Sequence, residues 1–287
     1  MTVVSQSAHR PWSSLRFGLG LIALLASLPW GAAPALAEGD DPAAQARWAE
    51  LRAALFGDRP VADGAGLIGL ETPYRAEDAA VVPVAVKSLM DPAAGHFIKD
   101  LYLIIDMNPV PLAATFHFPG PAAWDRLATR VRVNAYTNVR AVAQTDDGRL
   151  FTVANFVKAA GGCSAPSLKD PAAAAAQLGR MKLVLPEQLK PGEPLTAQLM
   201  IKHPNSSGLQ FDQIARHFIP ADYIQRIDLA YQGQPLFSVD SNISISEDPS
   251  IRFGLVPAAA GDLRVQVKDS AGRRFEQTFP IAVTGGG

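Results

Sequence analysis

Short segments that alternate polar and apolar residues, separated by turn signals, recur along most of this chain and restrict it to a mainly β fold. The run Arg130-Val131-Arg132-Val133 shows the alternation of a half-buried strand. Asn108-Pro109 and Asp146-Asp147-Gly148 mark clear breaks between segments. Strands are predicted over 81–86, 97–106, 112–118, 130–136, 139–145 and 150–157, and again over 181–185, 195–203, 224–231, 235–239, 242–246, 251–256, 263–268 and 275–283. This spacing is typical of immunoglobulin-like antiparallel β-sandwiches.

The two groups of strands predict two sandwiches in tandem. Between them, residues 164–180 shift in composition to the run Pro171-Ala172-Ala173-Ala174-Ala175-Ala176, which suits a short helix or a tether. We therefore expect a first domain over 38–163, a linker over 164–180 and a second domain over 181–287.

The first residues have the pattern of an export signal. Arg10 and Arg16 precede the apolar stretch 17–28, and Ala35-Leu36-Ala37 precedes Glu38. This order predicts a secretory signal peptide over 1–37, the general secretion route and a periplasmic protein. No later segment has the roughly 18 consecutive apolar residues that a membrane-spanning helix needs, so we expect no membrane anchor.

A short helix is predicted directly after the signal. Asp41 and Pro42 suit its cap and first turn, Trp48, Leu51 and Leu55 share one face, and Gly57 ends it.

Cys163 is the only cysteine, in the run Gly161-Gly162-Cys163-Ser164 at the end of the first group of strands. Exported proteins usually contain cysteines in pairs, so this thiol is buried, joined to another molecule or used. Because two glycines precede it and small residues surround it, we predict a reactive thiol on a flexible arm. A small buried hydrophobe is the alternative. Lys158 is the nearest cation in sequence, and we expect it to be solvated and without a role.

The other residues argue against an enzyme. His96, His117, His203 and His217 each stand alone in the sequence, so no base is paired with the thiol. No pair of ligands has zinc spacing, and no cofactor or metal is expected. Copper shared by Cys163 and His203 remains a third-ranked alternative. A formal net charge of −1 gives no basis for a nucleic-acid partner.

Two sets of motifs resemble the sulfur-oxidation carrier SoxYZ, with its two subunits fused. The first half resembles SoxY through Pro83-Val84, the run from Asp106 to Pro111, Arg130-Val131-Arg132-Val133 and the Gly-Gly-Cys sequence. The second half resembles SoxZ through Pro191-Gly192-Glu193, the run from His203 to Gly208, the run from Ile219 to Ile224 and the run from Asp248 to Phe253. The fusion itself resembles a SoxYZ-like group associated with quinoprotein dehydrogenases.

The resemblance implies a function in thiosulfate oxidation as a covalent substrate carrier rather than an enzyme. A sulfur-containing intermediate would be held on Cys163, and Gly161 and Gly162 would form the flexible arm that presents it to periplasmic sulfur-oxidising or quinoprotein dehydrogenase and cytochrome enzymes. SoxY subunits end next to this cysteine, whereas here the chain continues past it, and Asn205-Ser206-Ser207 replaces the usual Met-Glu-Thr of SoxZ. A non-catalytic accessory protein of a quinoprotein system is the alternative, and a disulfide-linked homodimer through Cys163 is compatible with either function.

Overall fold

The computed structural model describes residues 41–91, 95–121, 126–167 and 170–283, which form a mainly β fold. All of these residues belong to one compact unit. The strands are β1 (Val61–Asp63), β2 (Ile68–Glu71), β3 (Val82–Ser88), β4 (Ile98–Ile105), β5 (Leu112–His117), β6 (Arg126–Val131), β7 (Thr137–Thr145), β8 (Leu150–Val157), β9 (Met181–Val184), β10 (Leu195–Ile201), β11 (Phe211–Asp212), β12 (His217–Phe218), β13 (Ile224–Tyr231), β14 (Gln234–Ser241), β15 (Ser250–Leu255), β16 (Gly261–Asp269) and β17 (Arg274–Ile281). The helices are α1 (Pro42–Phe56) and α2 (Pro171–Ala176). The predicted mainly β fold with a short helix near the N-terminus is confirmed.

Strands of both halves join in the same sheets. A nine-stranded sheet has the order β1-β8-β7-β4-β5-β14-β13-β16-β17, a six-stranded sheet has the order β2-β3-β6-β15-β10-β9, and β11 pairs with β12 in a small hairpin. In the large sheet Phe116 of β5 lies opposite Val239 of β14. In the six-stranded sheet Arg252 of β15 lies opposite Ala128 of β6. The two halves therefore share backbone hydrogen bonds along two seams.

One hydrophobic core lies between the two large sheets and crosses from one half to the other. Phe237 shows this continuity: its ring centroid lies 5.9 Å from that of Phe118 in the first half and 5.1 Å from that of Phe253 in the second half. Such aromatic pairs add to the free energy gained by burying the rings. The sequence patterns left open whether the apolar faces of the halves meet, and the structure shows that they do.

Helix α1 covers the outer face of the large sheet. The Asp41 side chain caps it by accepting a hydrogen bond from the Ala43 amide, and Gly57 ends it with a φ of +63°. Leu51 and Phe56 pack against a small second cluster that includes Ile104 of β4. Both predicted ends of the helix are confirmed.

Two predicted strands differ from the structure. Residues 242–246 form a turn instead of a strand, in which the Ile245 amide donates to the Asn242 carbonyl. The strand predicted over 130–136 is displaced, because β6 spans Arg126–Val131 and the chain leaves the sheet after Val131. The predicted signal peptide over 1–37 lies outside the described residues. None of the described helices is both long and apolar enough to cross a membrane.

Candidate functional site

The Cys163 side chain is 0% exposed. It lies in a turn, here called the thiol turn (residues 161–164), which follows β8 and packs against the first half of the chain. The Gly161 amide donates to the Asn134 carbonyl at 2.9 Å, and the Gly162 amide donates to the Val133 carbonyl at 2.9 Å. The prediction of a thiol that swings out from the fold is therefore wrong for this conformation.

The two glycines fit the backbone conformation and the packing of the thiol turn. Gly161 has a φ of +80°, a left-handed conformation that other residues adopt only with strain. A Cβ atom added to Gly162 would lie 2.0 Å from the Ala79 carbonyl oxygen and 2.7 Å from the Val133 carbonyl oxygen. Both glycines thus allow the thiol turn to sit against backbone in this conformation, and a flexible arm formed by Gly161 and Gly162 stays a prediction.

The second half of the chain holds the thiol turn from the other side. Its contacts come from residues 203–210, here called the clasp loop, which follow β10. The Ser207 hydroxyl donates a short hydrogen bond to the Cys163 carbonyl, and the Gln210 amide Nε2 donates to the Ala165 carbonyl at 2.9 Å. Gln210 Oε1 in turn accepts from the Ser207 amide at 3.2 Å.

Arg132 lies beneath the thiol turn and is only 2% exposed. Its guanidinium donates to the Gly162 carbonyl at 3.2 Å and to the Asn205 carbonyl at 3.4 Å, so it joins the thiol turn to the clasp loop. Among the described residues, its Nε atom has no hydrogen-bond partner. Burial lowers the pKa of Arg132, although the nearby Cys163 opposes that effect.

The buried thiol is a poor nucleophile in this conformation. Burial raises the pKa of Cys163 to about 11, and the Arg132 charge offsets only part of that rise. Since the thiolate is the reactive form, the closed thiol turn keeps Cys163 protonated and shielded at neutral pH.

Sequence reasoning missed Arg132 because the alternating pattern places it on the exposed face of a strand. The chain leaves the sheet after Val131. The Arg132 amide then donates to the Ser244 carbonyl at 2.8 Å instead of to a neighbouring strand. The Asn108 side chain stabilises the chain at this point, because its Nδ2 atom donates to the Arg132 carbonyl at 2.8 Å and to the Ser244 hydroxyl at 2.9 Å. The Asn108-Pro109 break was visible in the sequence, but its contact with Arg132 was not.

The hydrogen bonds described above for the thiol turn do not involve the Lys158 side chain. Its Nζ atom lies 4.7 Å from the centroid of the Tyr74 ring, a cation–π contact. The expectation of a merely solvated lysine is therefore replaced by a lysine that packs on an aromatic ring.

His203 forms a buried polar cluster with two carboxylates, unlike the isolated residue that the sequence suggested. Its Nε2 atom lies 3.4 Å from Asp269 and 3.7 Å from Asp222, and its Nδ1 atom accepts from the Asn205 amide at 3.1 Å. Burial lowers the pKa of His203, although both carboxylates oppose that effect. The Arg273 guanidinium bridges Asp222 and Asp269, so both carboxylates already have a cationic partner.

The other three histidines of the described residues also contact acidic or carbonyl oxygens. His117 lies between Asp100 at 2.6 Å and Asp240 at 3.0 Å, and His96 contacts Asp146 at 3.0 Å. His217 lies 3.1 Å from the Phe218 carbonyl through its Nδ1 atom. Within the described part of the chain, the group of three ligands close enough to hold a metal ion is His203, Asp222 and Asp269, and it does not include Cys163. This group of three does not bear on a copper site shared by Cys163 and His203 alone, which stays a prediction.

Two family models match the chain in tandem. The model of the sulfur oxidation protein SoxY matches residues 52–163, and the model of the sulphur oxidation protein SoxZ matches residues 181–280. The chain is a fused SoxYZ-like protein. The SoxY match ends at Cys163 itself, and the clasp loop lies inside the SoxZ match. In this SoxYZ-like protein the buried thiol is thus the last matched residue of one domain and is held by the other.

Solved structures show more distant similarities. The sulfur carrier protein SoxY from Chlorobium limicola f thiosulfatophilum is 24% identical, with 40% of this chain and 96% of that chain covered and a TM-score of 0.33. A superoxide reductase (neelaredoxin) from Ignicoccus hospitalis is 18% identical, with 40% of this chain and 89% of that chain covered and a TM-score of 0.29. A search of curated proteins found no significant match. The family assignment rests on the two matched domain models.

Proposed function

We propose that this SoxYZ-like protein is a periplasmic covalent carrier that holds a sulfur-containing intermediate on Cys163 and presents it to separate partner enzymes. The observation that supports this function most directly is the position of the only cysteine of the chain, at the last residue of the SoxY match. The partners would be sulfur-oxidising enzymes or a quinoprotein dehydrogenase with its cytochrome, and the carrier itself would not be a catalyst.

Loading must begin with release of the thiol turn. The hydrogen bonds from Ser207, Gln210 and Arg132 to the carbonyls of residues 162, 163 and 165 would break, and the thiol would reach water. In water the pKa of Cys163 would fall from about 11 toward its ordinary value of 9.0, which raises the thiolate fraction at neutral pH about a hundredfold. Because the chain continues beyond Cys163, the released segment would be a loop rather than a free end.

The covalent step requires an electron acceptor. For a cargo such as thiosulfate, the Cys163 thiolate would form a bond to the outer sulfur of the cargo, and two electrons would leave the pair of sulfur atoms. The partner oxidoreductase would accept both electrons. The proton lost by the thiol would pass to water, since the released turn is in solvent.

A second function is supported by the burial of Cys163. A fully buried, protonated cysteine is what an incidental structural residue would show. In that case the protein would be a non-catalytic accessory of a periplasmic quinoprotein dehydrogenase system, and its sheets would bind the partner without any cargo.

The experiment that separates the two functions is intact-mass spectrometry of the mature protein isolated from the periplasm of its own host, before and after reduction. A reducible mass increment on Cys163 that corresponds to sulfur, sulfonate or thiosulfonate supports the carrier. A Cys163→Ser variant at normal protein level should then abolish sulfur-dependent electron transfer. An unmodified thiol, a homodimer through Cys163 as the only adduct, or a fully active Cys163→Ser variant overturns the carrier and favours the accessory protein.

A further inference from the structure

A groove of about 520 Å³ crosses the six-stranded sheet where the two domains meet. Strands β3 and β6 of the SoxY domain and strands β15 and β10 of the SoxZ domain line it. Arg252 and Ala128 are the pair of residues that sets the register between β15 and β6. Alternation along β6 places Arg126, Ala128 and Arg130 on the same face, so Arg252 lies diagonally between two arginines across the seam. The small side chain of Ala128 leaves the space between them open.

The charges of this groove are only partly paired. Arg126 contacts the Glu71 carboxylate at 2.6 Å, and that carboxylate also contacts Lys87 at 2.5 Å. Within the described ranges, Arg130 and Arg252 have no ion-pair partner among the contacts found. Arg252 donates to the side-chain oxygen of Gln198 at 3.2 Å, and Arg130 donates to the Asp248 carbonyl at 2.8 Å. Both guanidinium groups thus keep donors that no acidic side chain satisfies.

Two polar atoms that line the same groove lack partners. The Arg130 Nε atom and the Thr72 Oγ1 atom are buried, and neither has a hydrogen-bond partner among the described residues. A buried donor left unsatisfied destabilises the protein, because it has lost its hydrogen bond to water. Because both atoms are shielded from solvent, a ligand with acceptor oxygens would satisfy them only if the Thr72 and Arg130 side chains turn toward the groove.

A second groove of similar size differs from the first in how its charged side chains are paired. It measures about 560 Å³ and is lined by Asp100, His117, Arg226 and Asp228 among others. There Arg226 contacts Asp228 at 2.8 Å and Asp240 at 2.8 Å, and His117 contacts Asp100 and Asp240. In this second groove Arg226 and His117 both have acidic partners, whereas in the first groove two arginines have none among the described residues.

We propose that the first groove binds an organic anion, whose oxyanion head lies against Arg130 and Arg252 and whose apolar body lies over Ala85, Ala128 and Met200. The planar guanidinium presents paired donors that match a phosphate, sulfonate or carboxylate group. The volume exceeds the need of an inorganic anion alone and lies within the range of small-molecule sites. This site is separate from the Cys163 turn and does not depend on the carrier function.

Isothermal titration calorimetry of the full mature protein with phenyl phosphate tests this site. Saturable binding at one equivalent is expected, with weaker binding of inorganic phosphate and no binding of phenol. Arg252→Gln should weaken the affinity for phenyl phosphate at least about tenfold, because it removes a charge-assisted contact. Thr72→Val should weaken it by a smaller factor, and Arg149→Gln, which alters an exposed arginine elsewhere, should leave it unchanged.

The melting temperature of each variant shows whether it is folded. Equal affinities of folded wild-type, Arg252→Gln and Thr72→Val proteins would overturn the proposal, as would the absence of binding to wild type. Equal binding of inorganic phosphate and phenyl phosphate would overturn the assignment of an apolar body.

Discussion

Replacing Gly162 by alanine should force the thiol turn out of its site. The added Cβ atom would lie 2.0 Å from the Ala79 carbonyl oxygen and 2.5 Å from the Ala79 carbonyl carbon, where ordinary contacts begin at 3.4 Å. Both opposing atoms belong to backbone, so neither can rotate away. The thiol turn must therefore move by more than an ångström, which breaks its hydrogen bonds to Val133 and to Ser207.

The size of the effect follows from the thiol pKa. Release into water lowers the pKa of Cys163 from about 11 toward 9.0. At neutral pH this shift raises the thiolate fraction about a hundredfold. The pKa change alone gives about a hundredfold, and the gain in access adds to it, so we expect Gly162→Ala to react with a chromogenic disulfide at least about a hundredfold faster than wild type.

The assay is the initial rate of thiol modification at pH 7, together with the circular dichroism spectrum and the melting temperature of the same sample. Gly148→Ala is the matched control: Gly148 has a φ of +86° and open space around its Cα, so the control strains a turn without a collision. The control should lose stability and keep a slow thiol. A folded Gly162→Ala protein whose thiol reacts within twofold of the wild-type rate would refute the packing argument.

Two further outcomes test the same closed turn. Gln210→Leu removes the hydrogen bond to the Ala165 carbonyl while keeping a side chain of similar volume. Because one net hydrogen bond contributes about 1 kcal/mol, this variant should accelerate thiol modification about fivefold. An unchanged rate would show that the clasp loop does not hold the turn. The folded-state pKa of Cys163 is raised to about 11 from 9.0, so this group's contribution to stability is present below pH 9 and is lost as pH rises through 11, with a loss of about 2 kcal/mol at pH 11. Urea unfolding at pH 8.5 and pH 11 should therefore show a smaller loss in Cys163→Ala than in wild type, and equal losses would contradict a buried thiol.

Local patterns in the sequence predicted most strands because burial on one face imposes alternation within the segment itself. Strand β13 (Ile224–Tyr231) matches its predicted bounds, and α1 begins and ends at its predicted cap residues. The turn over 242–246 was missed because its apolar isoleucines, Ile243 and Ile245, are buried by contacts outside a strand. The shared seams between the halves could not be predicted either, since edge pairing depends on backbone groups that every residue possesses.

At the candidate site, the sequence identified the cysteine but not the residues that hold it. Cys163 stood out by its uniqueness and by the two glycines before it. Those glycines are compatible with both a flexible arm and a close approach of backbone, and only the positions of Ala79 and Val133 show that approach in this conformation. Arg132 and Ser207 act on the thiol turn from distant parts of the chain, and no local pattern marks them.

Shielding of Cys163 and a carrier function are compatible because opening the thiol turn breaks hydrogen bonds that lie outside the strands. The turn is held by five hydrogen bonds named above, from the amides of Gly161 and Gly162 and from Arg132, Ser207 and Gln210. At about 1 kcal/mol each, they give an opening free energy of about 5 kcal/mol, which leaves roughly one molecule in several thousand open. A partner that binds only the open turn must supply that free energy through its own contacts. The clasp loop would then keep the thiol from unselective oxidation until such a partner binds.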